Sequence, residues 1–272
     1  MIFLPAGLGV VAPAQAATPA YYDLILSQLP FQYFRGNEQP GATPPTFVPA
    51  VNYGSATPVS PGYSGITLAG ATDFGRPPIY AGGDVSFNSR AVGTAFMTSG
   101  AMTAAGSFSA GASSMSIIIR PNSDALNSGT VLLPTRDSAA RVFQWRLTRV
   151  SGATFRMELV WIRGGVTTAS ATPLIQLSTT TSLHLAVTLD SMKVVRMYAN
   201  GQQLAATSTT IAAATPGLLE SSTGPLVVGY SSGPNAFLVS HWSELATFAR
   251  ALTTEEISQQ ASACGLTVSA TV

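Results

Sequence analysis

An all-β fold, an antiparallel two-sheet sandwich with one short helix near each end, is what the sequence predicts, and three local patterns carry the prediction. Leu183, Leu185, Val187 and Leu189 alternate with His184, Ala186, Thr188 and Asp190, the period-two signature of a half-buried strand. Asn200-Gly201 follows the run Val194 to Tyr198 and supplies the two positive-φ residues that a type I′ hairpin turn requires. Thr253 and Glu256 stand at the spacing of a capping box ahead of Ile257, and Gly265 is placed to end that helix in the left-handed conformation.

Taken in order, the chain opens on Met1 to Ala17, an apolar run ending in Ala-Gln-Ala that imitates a signal peptidase site but lacks a basic leader. Pro5 and Pro13 interrupt it, and it is too short to span a bilayer. Apolar surface left in water forfeits about 25 cal/mol per Å², so residues 1–18 read as an assembly arm. Ile2, Phe3, Leu4, Leu8, Val10 and Val11 would be its contacts with a neighbouring subunit or partner. Residues 19–272 then form one domain, a length ordinary for a single large sandwich.

A helix is expected over Pro19 to Leu29, with Thr18 as cap and Pro19 in the first position. Gln39 to Gly83 is dense in Pro, Gly, Ser and Thr and reads as loops and short edge strands, anchored by Val48, Val51, Tyr53, Ile66, Leu68 and Phe74. Strand candidates follow at Ser114 to Arg120, Gly129 to Pro134, Arg141 to Thr148 and Thr154 to Arg163, the last two joined by Ser151-Gly152. Phe143, Trp145 and Leu147 share one face, as do Phe155, Met157, Leu159 and Trp161; such stripes are core far more often than sugar platforms. After Leu183 to Leu189, Asp190-Ser191 turns the chain into Val194 to Tyr198, and the last helix runs Thr254 to Ala263.

Set side by side, Leu183 to Thr188, Val195 to Gly201, Leu226 to Gly229 and Arg250 to Ile257 resemble the C-terminal half of the laminin-G-like, concanavalin A-like lectin jelly-roll family. Tyr21 to Leu26 with Leu29 to Glu38 looks like the opening of such domains in bacteriophage virion proteins. The resemblance spans about Ala20 to Gly265 and implies a concanavalin A-like jelly roll. It also implies a structural role in a bacteriophage particle, as capsid decoration, fibre or tail-associated component, or else a secreted or virion carbohydrate-binding lectin.

Composition points the same way. Only 9% of residues are charged and mean hydropathy is +0.30, poor in charge for a freely dissolved monomer and suited to a surface covered by other subunits. Lys193 is the one lysine, so the positive charge is arginine, the cation favoured in interfaces. A net charge of +1 with dispersed arginines leaves no footprint for nucleic acid. Arg141, Arg146, Arg149, Arg156 and Arg163 do fall on two adjacent strand candidates, as a solvated outer sheet would place them.

Catalysis is not expected. Glycosidases of this fold set paired carboxylates on alternating residues of one strand, flanking the bond they cut. The acids here are scattered, except Glu255-Glu256, which serve a helix start. His184 reads as a packed residue of the family strand pattern, and His241, near Trp242 and Glu244, as a contact rather than a base. Cys264 stands alone and reads as a small buried hydrophobe. No metal or other cofactor is required; calcium is the one ion the resemblance raises, with Asp73, Asp84, Asp124 and Asp137 in loops and Glu244 at an acidic family position. Trp161, Tyr230 and Trp242 are the aromatics singled out to stack on a sugar. The expected partners are other virion proteins, copies of the chain itself and host-surface glycans, without nucleic acid or membrane insertion. The expected location is the virion, assembled in host cytoplasm, or the secreted space.

Overall fold

The computed structural model of the 272-residue chain describes residues 20–38, 47–55, 62–64, 76–88, 96–98, 112–127, 130–136, 143–163, 166–192, 194–204, 209–210, 226–228 and 240–266. Three helices and sixteen strands lie in these stretches. In chain order they are α1 (Tyr21–Ser27), β1 (Gln32–Phe34), β2 (Phe47–Pro49), β3 (Gly62–Ser64), β4 (Phe87–Asn88), β5 (Phe96–Thr98) and β6 (Ser113–Pro121). Next come α2 (Ser123–Asn127), β7 (Thr130–Arg136), β8 (Phe143–Ser151), β9 (Thr154–Arg163), β10 (Val166–Gln176) and β11 (Leu183–Leu189). The chain closes with β12 (Val194–Ala199), β13 (Gln202–Gln203), β14 (Thr209–Thr210), β15 (Leu226–Val228), β16 (Ser240–Phe248) and α3 (Thr254–Ala263).

The strands form two antiparallel sheets. Sheet I runs β1-β16-β6-β11-β12-β13, with β14 also on β12 and β4 also on β16; sheet II runs β10-β9-β8-β7-β15-β5-β3-β2. The architecture is the antiparallel sandwich that the alternation and hairpin signals predict. Asn200 and Gly201 hold φ of 50° and 81° and close the β12–β13 hairpin. The Asn200 side chain also accepts from the His184 backbone NH at 3.0 Å, so the turn caps the neighbouring strand as well.

The two sheets face each other across one core. Met115, Ile117 and Ile119 of β6, the four apolar residues of β11, and Trp242 and Leu245 of β16 meet Trp145, Leu147, Phe155, Met157 and Leu159 of sheet II. Trp145 and Leu147 of β8 and Phe155, Met157 and Leu159 of β9 are therefore core, as their spacing implies.

One expectation needs correcting. The strand Leu183–Leu189 is not half-buried: all seven residues are buried. The face bearing His184, Ala186 and Thr188 lies beneath α1 and α3, whose Tyr21, Ile25, Ile257 and Cys264 form a second core with Tyr33, Ile79, Tyr80, Ile118 and Phe248. Sheet I is thus covered on both faces. Two of the larger polar side chains there, His184 and Gln260, are paired, since a buried polar group without a partner is costly. His184 Nε2 meets Gln260 Oε1 at 3.0 Å, and Gln260 donates to Gln28 at 2.7 Å, which ties β11, α3 and α1 together.

The helices differ in how local signals fix them. The last one starts at the predicted residue, with Thr253 and Glu256 closing the capping box. Glu256 also pairs with Arg250 at 2.6 Å, and that hydrogen bond, ahead of the backbone and side chain of Thr253, draws its carboxyl down to about 2. The first helix begins at Tyr21 rather than Pro19, with Ala20 at its cap position and no side-chain cap; Thr18 and Pro19 lie outside the described residues. It stops because Leu29 turns into the left-handed region, φ 57°, ahead of Pro30.

Candidate functional site

Among the described residues, polar and aromatic chemistry concentrates around β16, where that strand changes partners. At one end β16 pairs with β4 through His241 and Trp242; at the other it pairs with β1 through Leu245, Ala246 and Thr247. Between Ser243 and Ala246 its register against β6 slips: three steps along β16 match the two from Ile118 to Ser116. That bulge lets both Trp242 and Leu245 face the inner core, although they stand an odd number of residues apart. The inserted turn, with φ of 58° at Glu244, sends the Glu244 carboxylate to the opposite face.

There Glu244 has no exposed surface. Tyr33 donates to Oε2 in a short hydrogen bond, Tyr80 donates to Oε1 at 2.8 Å, and Arg35 Nη2 reaches Oε1 at 3.4 Å. Burial lifts the Glu244 carboxyl above its usual range, while Arg35 and the two phenols pull the other way. The phenols of Tyr33 and Tyr80 are pushed far upward, by burial first and by the facing carboxylate second.

A tyrosine held by a glutamate is the pair from which some glycosidases make a phenolate nucleophile. Here Tyr33 is fully buried, and burial and then the Glu244 carboxylate favour its neutral phenol, with Arg35 opposing. The arrangement instead anchors Arg35 and two tyrosines through one shared acceptor.

From that anchor a half-buried rim extends outward. Arg35 Nη2 also meets Asp84 Oδ2 at 2.6 Å, and Asn37 donates to the same oxygen at 2.9 Å. The Arg35 guanidinium lies 4.6 Å from the centre of the Tyr22 ring, a cation–π contact. Tyr22 stacks on Tyr33 at 5.9 Å and meets Tyr53 edge-on at 5.6 Å. Tyr53 is presented on a tightly pinned loop. Its NH donates to Tyr33 O, and Asn52 Oδ1 accepts from the NH groups of both Tyr33 and Gly54. Glu38 accepts from Val51. A Cβ at Gly54 would lie 2.6 Å from Phe31 O, so only glycine lets the loop approach β1 this closely.

The rim keeps hydrogen-bonding capacity in hand. Among the described residues, Arg35 Nη1, Asp84 Oδ1 and the hydroxyls of Tyr22 and Tyr53 make no hydrogen bond. Aromatic faces beside such groups, on a backbone that cannot relax away, are what a small polar ligand needs.

The residues singled out from sequence are not brought together. Trp242 is completely buried in the inner core, packed edge-on against Phe87 at 6.0 Å, so it offers no face to a sugar; the pairing of β16 with β4 and β6 is the cause. Trp161 lies in β9 opposite Phe143 and Thr168, and Tyr230 lies outside the described residues. Ile2, Phe3, Leu4, Leu8, Val10 and Val11 also lie outside them, as do Asp73 and Asp137. Of the acids considered for calcium, Asp84 and Glu244 share Arg35, while Asp124 sits in α2. Cys264 is buried, its thiol pushed up to about 12 chiefly by that burial. His184 is buried too, and burial takes its imidazole down to about 4. His241 is also lowered to about 4, by burial and then by Arg120 and Arg76.

The missed residues were Tyr22, Arg35 and Tyr53. Their available signal was that six of the eight tyrosines, Tyr21, Tyr22, Tyr33, Tyr53, Tyr63 and Tyr80, precede residue 81 and flank Arg35.

Residues 94–258 match the concanavalin A-like lectin/glucanases superfamily. Among solved structures, domain 4 of AbnA, a GH43 extracellular arabinanase from Geobacillus stearothermophilus, in complex with arabinotriose, matches with a TM-score of 0.57. Identity is 16%, over 85% of this chain and 98% of that one. The binding domain of botulinum neurotoxin serotype D matches at 0.58 and 12% identity, over 86% of this chain and 51% of that one. A Trypanosoma rangeli sialidase bound to a difluoro-KDN ligand matches at 0.54 and 14%, over 94% of this chain and 35% of that one. The chain thus spans nearly all of the arabinanase domain, about half of the toxin domain and about a third of the sialidase. At these identities the likeness is one of fold. No curated protein matches the sequence.

Proposed function

Because the chain belongs to the concanavalin A-like lectin/glucanases superfamily, we propose that it is a carbohydrate-binding module that does no covalent chemistry of its own and holds a glycan on the rim formed by Tyr22, Tyr53, Arg35, Asn37 and Asp84. One observation carries the reading: aromatic rings and unengaged polar atoms meet beside a loop locked by Asn52 and Gly54. A sugar ring has an apolar C–H face and a hydroxyl edge. Tyrosine faces take the first, and the arginine and carboxylate take the second. Preorganisation matters because each side chain frozen on binding costs about 0.5–1.5 kcal/mol. The match to an arabinanase domain seen with arabinotriose, over nearly that domain's full length, supports the same reading.

The acids favour binding over hydrolysis. Glu244 is sealed and saturated, Glu158 is held by Arg146 and Thr148, and Glu256 is committed to Arg250 and the helix cap. Titration with arabinotriose, followed by calorimetry or NMR, tests the proposal. Saturable binding is expected, weakened at least about tenfold by Tyr53→Ala. Turnover of an oligosaccharide by the purified chain would overturn it.

The expected role in a bacteriophage particle stands as a second reading, favoured by a composition in which only 9% of residues are charged. Its test is the state of the full chain in solution: a stable monomer that coats no particle would end it.

A further inference from the structure

Independently of the carbohydrate rim, we infer that the outer face of sheet I holds an oxyanion site, in which Arg76, Asn88, Arg120 and His241 take one phosphate or sulfate group. The strand ladder places the four together. Arg120 of β6 stands directly opposite His241 of β16, and His241 stands directly opposite Asn88 of β4. Ile119, Trp242 and Phe87, one residue away on each strand, face the inner core, so this row faces the other way. Arg76 is bridged to Ser86 by two backbone hydrogen bonds. Because Ser86 lies two residues before Asn88, Arg76 joins the same face one strand further out, and both arginines act on the His241 imidazole.

What marks the site is open hydrogen-bonding capacity, not a net charge. Arg76 Nε, His241 Nδ1 and Asn88 Oδ1 are buried and make no hydrogen bond, a costly state for three polar atoms on one face. Among the described residues, Arg76 and Arg120 make no ion pair either. Asn88 is only 7% exposed, whereas Arg76, Arg120 and His241 are half-buried, so the row opens to solvent at its basic members. Turning the Asn88 amide about its last bond brings Nδ2–H to where Oδ1 stands. Burial, then Arg120 and Arg76, hold the imidazole neutral at pH 7, and a neutral imidazole still donates through one N–H. The donors come from different strands and so from different directions. A tetrahedral oxyanion has an oxygen for each and suits the guanidinium fork, whereas a planar carboxylate offers only two oxygens on one edge. Of the charged residues nearest in sequence, Asp73 and Arg90 lie outside the described residues, as does the side chain of Asp124.

The experiment titrates sodium sulfate and sodium phosphate into the full chain, against sodium chloride at matched ionic strength. NMR follows the His241 ring and calorimetry follows the unfolding midpoint. Saturable shifts at His241 and a raised midpoint are expected with both oxyanions and not with chloride. Arg76→Gln and Arg120→Gln should each weaken sulfate binding at least about tenfold, since each removes a charge-assisted hydrogen bond. Arg156→Gln, at an exposed position on sheet II, should leave it unchanged, and so should Tyr53→Ala on the carbohydrate rim. Galactose 6-sulfate, with galactose as its control, identifies the source: tighter binding than sulfate supports a group carried on a sugar, and equal binding supports a free ion. An equal response to chloride, no saturable binding, or sulfate binding that survives both arginine substitutions overturns the inference and leaves the carbohydrate reading intact. So does binding that emerges only in Asp73→Asn or Asp124→Asn, since an acid of the chain itself would then fill the site.

Discussion

Among the described residues, α1 and α3 cover the outer face of sheet I, and a glutamate on each sheet shows what that cover changes. Glu244 lies under α1 and Tyr80 with no exposed surface, held by two phenols and an arginine. Glu158 lies on the outer side of β9, where Arg146 meets it at 2.8 Å and Thr148 donates at 2.8 Å, with Arg156 exposed nearby. Both carboxylates have an arginine and at least one hydroxyl. Their energetic weight should nevertheless differ: Glu158 is buried as well, but its partner Arg146 keeps 30% of its side chain exposed, against 17% for Arg35 and none for Tyr33.

The most severe test of that contrast is truncation. Glu244→Ala leaves Arg35 and two hydroxyls without their acceptor in a dry layer and should cost about 3–5 kcal/mol. Glu158→Ala, whose partners stay in closer touch with water, should cost less, about 1–3 kcal/mol. Urea unfolding of the two variants decides it; equal losses would mean that the cover over sheet I does not exclude water from Glu244.

Next in size is the effect of pH on the covered layer. His184 has its imidazole lowered from 6.5 to about 4 by burial, so the unfolded chain takes a proton first as pH falls. Its contribution is intact above pH 6.5 and is lost progressively down to about pH 4, amounting to about 3 kcal/mol. The unfolding midpoint of wild type should fall across this window relative to that of His184→Gln. Parallel profiles for the two proteins would show that the α1–α3 cover admits the charged imidazole.

The smallest effect concerns the end of the cover itself. Leu29 holds φ at 57° and is 81% exposed, so its side chain gains little from packing while its backbone bears left-handed strain. Leu29→Gly should stabilise the protein by about 0.5–1 kcal/mol, measured by thermal unfolding. A loss of stability would mean that Leu29 has a packing partner.

The same contrast explains what the sequence made legible. The spans of β9, β11 and α3 can be read to the residue, because alternation, the Asn-Gly turn and the capping box act over a few neighbours. β10 escapes notice: VTTASATPLIQ has small residues and a proline at Pro173, as an edge strand tolerates, and shows no alternating apolar face. The double cover of sheet I escapes for another reason. Alternation tells which residues of β11 face Trp145 and Phe155, but α1, more than 150 residues earlier in the chain, decides whether His184 and Thr188 meet water. The burial of Trp242 is not legible from its neighbours in sequence, because the bulge that sets its facing is a property of β4, β1 and β6 together. Glu244 was noticed as an acid; its phenol and arginine partners are assembled only in three dimensions.

The docking of α1 and β1 onto β16 and α3 has a consequence for biogenesis. Gln32 to Phe34 find their ladder partners at Leu245 to Thr247, and Gln28 finds Gln260. A ribosome makes the chain from the other end, so Tyr21, Ile25 and Tyr33 emerge first and must wait until residues near 264 have left the exit tunnel before they can be buried. Throughout that interval the outer side of sheet I is a bare apolar surface on a nascent chain, the stage at which a chaperone would be needed.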